Sequence, residues 1–313
     1  MILLVSRLRK SYGTNPALRG IDLVLSGDIV AVLGPNGSGK TTLLRCLASS
    51  LRPDSGEIVW QGRAVWPDPN FLRAQLGYVP EVLDFPRHLT PAQLLEYMGR
   101  LKGCPRRDEI EPLIVALGLE RVADRPFHEL SPGQVRLAGI AQALLGDPSL
   151  LLLDEPTRGL DVEERQRVFR QLRRLAPRSL VVFSTHVPDE VSEVAGQVVV
   201  LNEGRVWYTG GVEALRRRAA GRVHEVHLPR RRGDTLPPSC RVTRRIATPD
   251  TTVLRFIGRA PRESSAVPVE PTLEEAYLVL LDSSAGGALT SRKVRLSRVQ
   301  SRGKPGEDGL GWG

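Results

Sequence analysis

Long apolar runs are missing from this 313-residue chain. The longest, such as residues 150–153, cover only a few positions, whereas a helix needs about 20 to cross a bilayer. No segment is therefore expected to span a membrane. Cysteine is also scarce: Cys46, Cys104 and Cys240 form an odd set at wide spacings, which argues against a disulfide frame or a zinc cluster and reads as free thiols. Residues 1–7 reach an arginine after a very short apolar stretch, without the small-residue cleavage site of a secretory signal. A cytosolic location is the expectation. A hydrophobic content of 41% is enough for one large domain or two, and there is no internal repeat.

The net charge of +9 is unevenly spread. Residues 1–213 carry 25 basic and 25 acidic side chains, residues 214–263 carry 13 and 4, and residues 283–313 carry 6 and 2. The excess sits in the last hundred residues. Such a basic C-terminal part suits an anionic surface, lipid headgroups or nucleic acid; a solvated arginine-rich face is the plainer alternative.

Strand-like runs at 28–33, 150–154, 180–184 and 197–201 alternate with helical patterns at 39–49 and 163–175, which reads as an α/β domain with a largely parallel sheet. Between about 87 and 147, helices are expected at 91–101, 107–117 and 132–145, from apolar residues at three- and four-residue spacing. This looks like a helical insertion. A basic helix at 213–220 precedes three short strands, 223–228, 240–247 and 251–258, and a closing helix at 271–281. Residues 222–282 read as a small α+β appendage, and the Ser-, Gly- and Arg-rich residues 283–313 as a disordered basic tail.

Gly34-Pro35-Asn36-Gly37-Ser38-Gly39-Lys40-Thr41 follows a strand and opens a helix, the context in which this pattern binds phosphate. Glycines let backbone N–H groups wrap the β-phosphate, and the helix N-terminus adds its positive dipole end. Lys40 is expected to reach the β- and γ-phosphates, and the Thr41 hydroxyl to hold Mg²⁺, with Thr42 beside it. The predicted ligand is ATP. Leu150-Leu151-Leu152-Leu153-Asp154-Glu155 reads as a buried strand ending in two carboxylates, at the strand end where open parallel sheets bind ligands. Asp154 suits the Mg²⁺ shell, and Glu155 is the candidate general base for the attacking water.

Leu130-Ser131-Pro132-Gly133-Gln134 lies between these motifs; Gly159-Leu160-Asp161 and Ser184-Thr185-His186 follow them. The five ordered motifs resemble the nucleotide-binding domain of ATP-binding cassette (ABC) transporters over about residues 2–215. The resemblance implies a P-loop NTPase cassette with a helical subdomain at about 87–147. By position, Tyr12 matches the adenine-stacking aromatic residue, and Ser131, Gly133 and Gln134 the signature that meets the γ-phosphate of an ATP held by a second cassette. Asp161 matches the loop crossing that interface, and His186 the switch histidine that contacts the γ-phosphate and supports the glutamate. The implied enzyme is an ATP hydrolase, working as a homodimer or related heterodimer on separate integral membrane subunits, at the cytoplasmic face of the cell membrane.

Two positions depart from the family pattern. Glu81 replaces the glutamine that touches Mg²⁺ and the attacking water, and a carboxylate can still ligate the metal. Pro132 replaces the first signature glycine, at a helical position proline suits when Ser131 is the N-cap. Residues 76–90, 139–148 and 270–277 resemble exporter-type bacterial cassettes of the multidrug, bacteriocin-immunity or lipid-export kind, which implies that the appendage supports or regulates the dimer. The competing function is a soluble cassette ATPase acting on ribosomes or nucleic acid. The duplicated cassette or inserted coiled coil of such proteins does not appear, so nucleic acid is disfavoured.

Overall fold

Three sheets organise the computed structural model, which describes residues 1–27, 29–103, 107–229, 237, 239–260 and 265–284. Asp28, Cys104 and residues 285–313, most of the segment expected to be disordered, lie outside these. The chain begins with the hairpin β1 (Ile2–Tyr12) and β2 (Asn15–Ser26), then β3 (Ile29–Leu33), α1 (Lys40–Leu47), β4 (Ser55–Trp60), β5 (Arg63–Ala64), α2 (Asn70–Arg73) and β6 (Leu76–Val79). Three helices follow, α3 (Pro91–Leu101), α4 (Arg107–Leu117) and α5 (Pro132–Leu144), forming the helical subdomain. Next come β7 (Leu150–Asp154), α6 (Val162–Leu175), β8 (Leu180–Thr185), α7 (Pro188–Val194), β9 (Gln197–Asn202), β10 (Arg205–Gly211) and α8 (Val212–Arg218). The C-terminal part holds β11 (Val223–Pro229), β12 (Arg241–Ala247), β13 (Thr251–Ile257), β14 (Val267–Pro268) and α9 (Leu273–Ser284).

The central sheet has the order β10-β9-β3-β8-β7-β6, with β9, β3, β8, β7 and β6 parallel and β10 antiparallel at the edge. Every residue of β3, β7 and β8 is buried, which is why these strands read as unbroken apolar runs rather than alternating ones: a parallel sheet is covered on both faces. Register then aligns their carboxyl ends, with Leu33 opposite Thr185 and Asp154 opposite Ser184. The loops leaving β3, β7 and β8 consequently emerge side by side on one edge.

The antiparallel sheet β2-β1-β4-β5 had no counterpart in the sequence expectations. Its long strands are broken by register shifts between Val5 and Leu8 and between Lys10 and Ser11, which interrupt the two-residue alternation that marks a half-buried strand. Leu3, Leu8, Ile21 and Leu25 face one side of the core, with Val30, Val32 and Leu44. The third sheet, β12-β13-β11-β14, is also antiparallel. Its closing helix α9 places Leu273, Ala276, Tyr277 and Leu280 in the same apolar cluster as Val191 of α7, Leu215 of α8 and Tyr208 of β10.

Candidate functional site

The loop between β3 and α1 passes so close to its neighbours that its glycines are required. A Cβ on Gly34 would lie 2.1 Å from the Leu201 carbonyl oxygen, and one on Gly39 2.6 Å from that of Ala17. Gly37 and Gly39 also have φ of 78° and 103°, a region that L side chains avoid. Lys40 folds back over the loop, its Nζ donating to the carbonyls of Gly34 at 2.8 Å and Pro35 at 3.2 Å and lying 3.7 Å from Glu155 Oε1.

At the end of β7, Asp154 is fully buried. Ser184 Oγ donates to Asp154 Oδ1 at 2.6 Å and accepts the Glu155 N–H at 2.9 Å. Glu155 itself sits at φ 49°, a left-handed conformation that costs free energy in a non-glycine residue and is held by surrounding contacts at functional sites. His186 Nδ1 lies 3.1 Å from both Glu155 carboxylate oxygens. A third buried carboxylate, Glu190 of α7, accepts from Thr157 at 2.6 Å and Thr185 at 2.5 Å, and Thr185 Oγ1 in turn accepts the Val187 N–H at 3.0 Å. Glu190 thus ties the turn after Glu155 to the turn carrying His186.

These loops bound a cleft of ≈ 620 Å³ lined by Ala17, Lys40, Thr41, Thr42, Glu81, Glu155, Arg158 and His186, with Asn36, Gly37 and Gly39 of the loop. Two polar atoms beside it are buried without a hydrogen-bond partner, Ser38 Oγ and Asp154 Oδ2. Buried polar atoms are normally satisfied, and these suit a phosphate oxygen and the shell of a divalent cation. Glu81 faces the cleft with its Oε1 accepting from Arg158 Nη1 at 2.6 Å. Its backbone carbonyl and that of Pro80 accept from Arg136 of α5 at 2.5 and 2.9 Å. Burial, followed by the charge of Arg158, pushes the Arg136 guanidinium below its ordinary pKa.

The remaining expected residues lie elsewhere. Ser131 is the N-cap of α5: it accepts the Gln134 N–H at 3.2 Å while Gln134 Oε1 accepts the Ser131 N–H at 3.0 Å, with Pro132 at the first helical position. Asp161 caps α6 by the same reciprocal pair with Glu164, at 2.8 and 3.0 Å. A Cβ on Gly133 would stand 3.0 Å from Glu164 Oε2 and 3.2 Å from the Gly159 carbonyl, so the two caps abut. Neither they nor Tyr12, half-exposed at the end of β1, lines the cleft. The sequence reading missed Arg158, Arg136 and Glu190. Arg158 carried a usable signal, a cation three residues beyond Glu155 in a chain whose Glu81 introduces an unexpected anion.

A glycine-rich loop over a helix N-terminus, a buried aspartate and a glutamate poised by histidine define a P-loop nucleoside triphosphatase of mixed α/β fold. The ABC transporter family model matches residues 18–158. The uncharacterized ABC transporter ATP-binding protein YxlF of Bacillus subtilis is 35% identical over 219 residues, 69% of this chain and 72% of its own. Nod factor export ATP-binding protein I of Paraburkholderia xenovorans is 35% identical, covering 67% and 70%. The sulfate/thiosulfate import ATP-binding protein CysA of Caulobacter vibrioides is also 35% identical, covering 67% and 65%. Among solved structures, an ATP-binding subunit of an ABC transporter superposes with a TM-score of 0.64 at 28% identity, over 70% of this chain and 93% of that one. The cassette MJ0796, in a dimeric post-hydrolysis state bound to ADP and Pi, gives 0.62 at 25% identity, over 67% and 98%. The chain belongs to the ATP-binding proteins of ABC transporters and is an ATP-binding, ATP-hydrolysing cassette. The expected restriction to export is not carried by these relatives, whose names include both export and import.

Proposed function

We propose that this chain powers export through separate integral membrane subunits, working as a pair of cassettes at the cytoplasmic face of the cell membrane. The carrying observation is the division of the expected site: Lys40, Thr41, Glu155 and His186 line one cleft, whereas Ser131, Gly133 and Asp161 do not. A second copy supplying those residues completes the site. The dimeric MJ0796 cassette supports that arrangement. The C-terminal residues 270–277, which resemble exporter-type cassettes, favour export. The domains are a cassette at 1–215 and an appendage at 222–282, whose exposed edge strand β12 presents Arg241, Arg244 and Arg245 to an anionic lipid surface.

The loop N–H groups, Lys40 and Ser38 bind the phosphates, and Tyr12 stacks on the adenine. Thr41, Asp154 and Glu81 would hold Mg²⁺, which would supply charge neutralisation and orientation of the phosphates. Glu155 accepts a proton from the attacking water, and His186 fixes the orientation of its carboxylate. Ser184 holds Asp154 and the Glu155 backbone in register. Glu155→Gln retains ATP binding but loses the base, lowering ATP turnover by about 10²-fold or more and trapping an ATP-bound dimer visible by size-exclusion chromatography. A variant that stays monomeric with ATP and Mg²⁺ contradicts the shared-site arrangement.

A further inference from the structure

The Glu81–Arg158 pair is placed unlike an ordinary surface ion pair. Both side chains line the nucleotide cleft, and they come from different elements: Glu81 from the segment after β6, Arg158 from the turn after β7. The Glu81 backbone is held in place, because Arg136 grips the carbonyls of residues 80 and 81. The Arg158 backbone N–H donates to the Glu155 carbonyl at 3.2 Å, which fixes the turn. Both backbones are thus anchored, which leaves the side-chain pair as the part that can be exchanged. Arg158 is 64% exposed and Glu81 34%, and a half-exposed pair of this kind is weakly held in water.

Charge decides what happens when a nucleotide arrives. The cleft wall carries Glu81 and Glu155 facing Lys40, Arg158 and His186, with Asp154 and Arg136 buried behind them. A triphosphate entering beside Lys40 competes with Glu81 for the exposed Arg158. A guanidinium binds phosphate oxygens with two directed N–H donors, and a triphosphate offers more negative charge than a single carboxylate. We propose that Arg158 is a phosphate-exchanged counter-ion: it neutralises Glu81 in the empty cleft and transfers to the terminal phosphate of bound ATP, releasing the Glu81 carboxylate. ADP, one phosphate shorter, leaves Arg158 on Glu81. The pair thereby lets this chain carry a carboxylate where its relatives are expected to carry glutamine, and makes the state of Glu81 report on the terminal phosphate. This inference rests on the assignment of the cleft to ATP.

The test is equilibrium titration of the full chain with ATP and with ADP in EDTA, for the wild type, Glu81→Gln, Arg158→Ala and the double variant. Removing the competing carboxylate in Glu81→Gln tightens ATP by roughly fivefold and ADP by less than about twofold. Adding Arg158→Ala to Glu81→Gln still weakens ATP by about tenfold, the scale of a lost charge-assisted hydrogen bond, and leaves ADP within about twofold, which also reports an intact fold. If Arg158→Ala is silent towards ATP in the Glu81→Gln background, Arg158 only neutralises Glu81 and the exchange is wrong. The same holds if it weakens ATP and ADP alike. Lys40→Ala binding ATP as tightly as the wild type overturns instead the assignment of the cleft.

Discussion

Glu190 shows how a residue outside the cleft governs two residues within it. Its carboxylate is buried, and its two oxygens accept separately from Thr157 and Thr185. Those hydroxyls belong to the turns that follow Glu155 and precede His186. Glu190→Ala leaves both buried hydroxyl protons without their acceptor, although Thr185 Oγ1 still accepts the Val187 N–H, and costs about 3–6 kcal/mol from two lost hydrogen bonds to a charged group. Urea unfolding should show this as a lower midpoint at unchanged slope. Cys46 marks the opposite case: burial pushes its thiol up to about 12, so it is inert at neutral pH. Phosphate loop, acidic pair and switch histidine were legible at this scale because their chemistry needs fixed residue types at short spacing. Glu190 was not, because its meaning lies partly in Thr157, 33 positions away in the chain; Arg158 was legible only by joining it to Glu81, 77 positions away.

Among the elements, α9 is joined to its sheet by one buried carboxylate. Glu275 closes a capping box with Thr272, at 2.8 and 3.1 Å. It also accepts from Arg255 Nε at 2.6 Å and Nη2 at 2.8 Å, and from Thr243 at 2.8 Å. Burial alone raises its pKa, but the hydrogen bonds from Arg255, Thr272 and Thr243 outweigh it and the net shift is downward. A carboxylate with a depressed folded-state pKa contributes stability that is complete above its unfolded value, about 4.3, and is lost as pH falls through the folded value. Thermal melting of the wild type should therefore lose stability below about pH 4.3 more steeply than Glu275→Gln, which lacks the titrating group. Equal acid slopes would remove Glu275 from the account. Helices α3 and α4 were legible to the residue, because apolar residues at three- and four-residue spacing mark both. The β1–β2 hairpin was missed because its register shifts break the alternation into short stretches, of which residues 21–25 of β2 are the clearest.

For the whole molecule, the appendage and the cassette share a core. Besides the common apolar cluster, Arg216 Nε of α8 donates to the Pro271 carbonyl at 3.1 Å. A chain ending at residue 222 loses α9 and uncovers apolar residues of α7 and α8 such as Val191 and Leu215, a patch of the kind that drives association. Such a truncation should bind a hydrophobic dye and elute as soluble aggregate, whereas a monodisperse, dye-silent fragment with the melting temperature of the full chain would show that α9 covers nothing essential. The charge balance changes after residue 213, yet burial continues across that point, because a charged surface can border a continuous core.

The seating of α9 against α7 and α8 also bears on how cassettes can be recombined. A chimera that grafts a foreign C-terminal part after residue 222 keeps this chain's α8 face but brings a helix shaped for another. The graft point that preserves matched surfaces lies before α7, so that α7, α8 and α9 are exchanged as one inherited block.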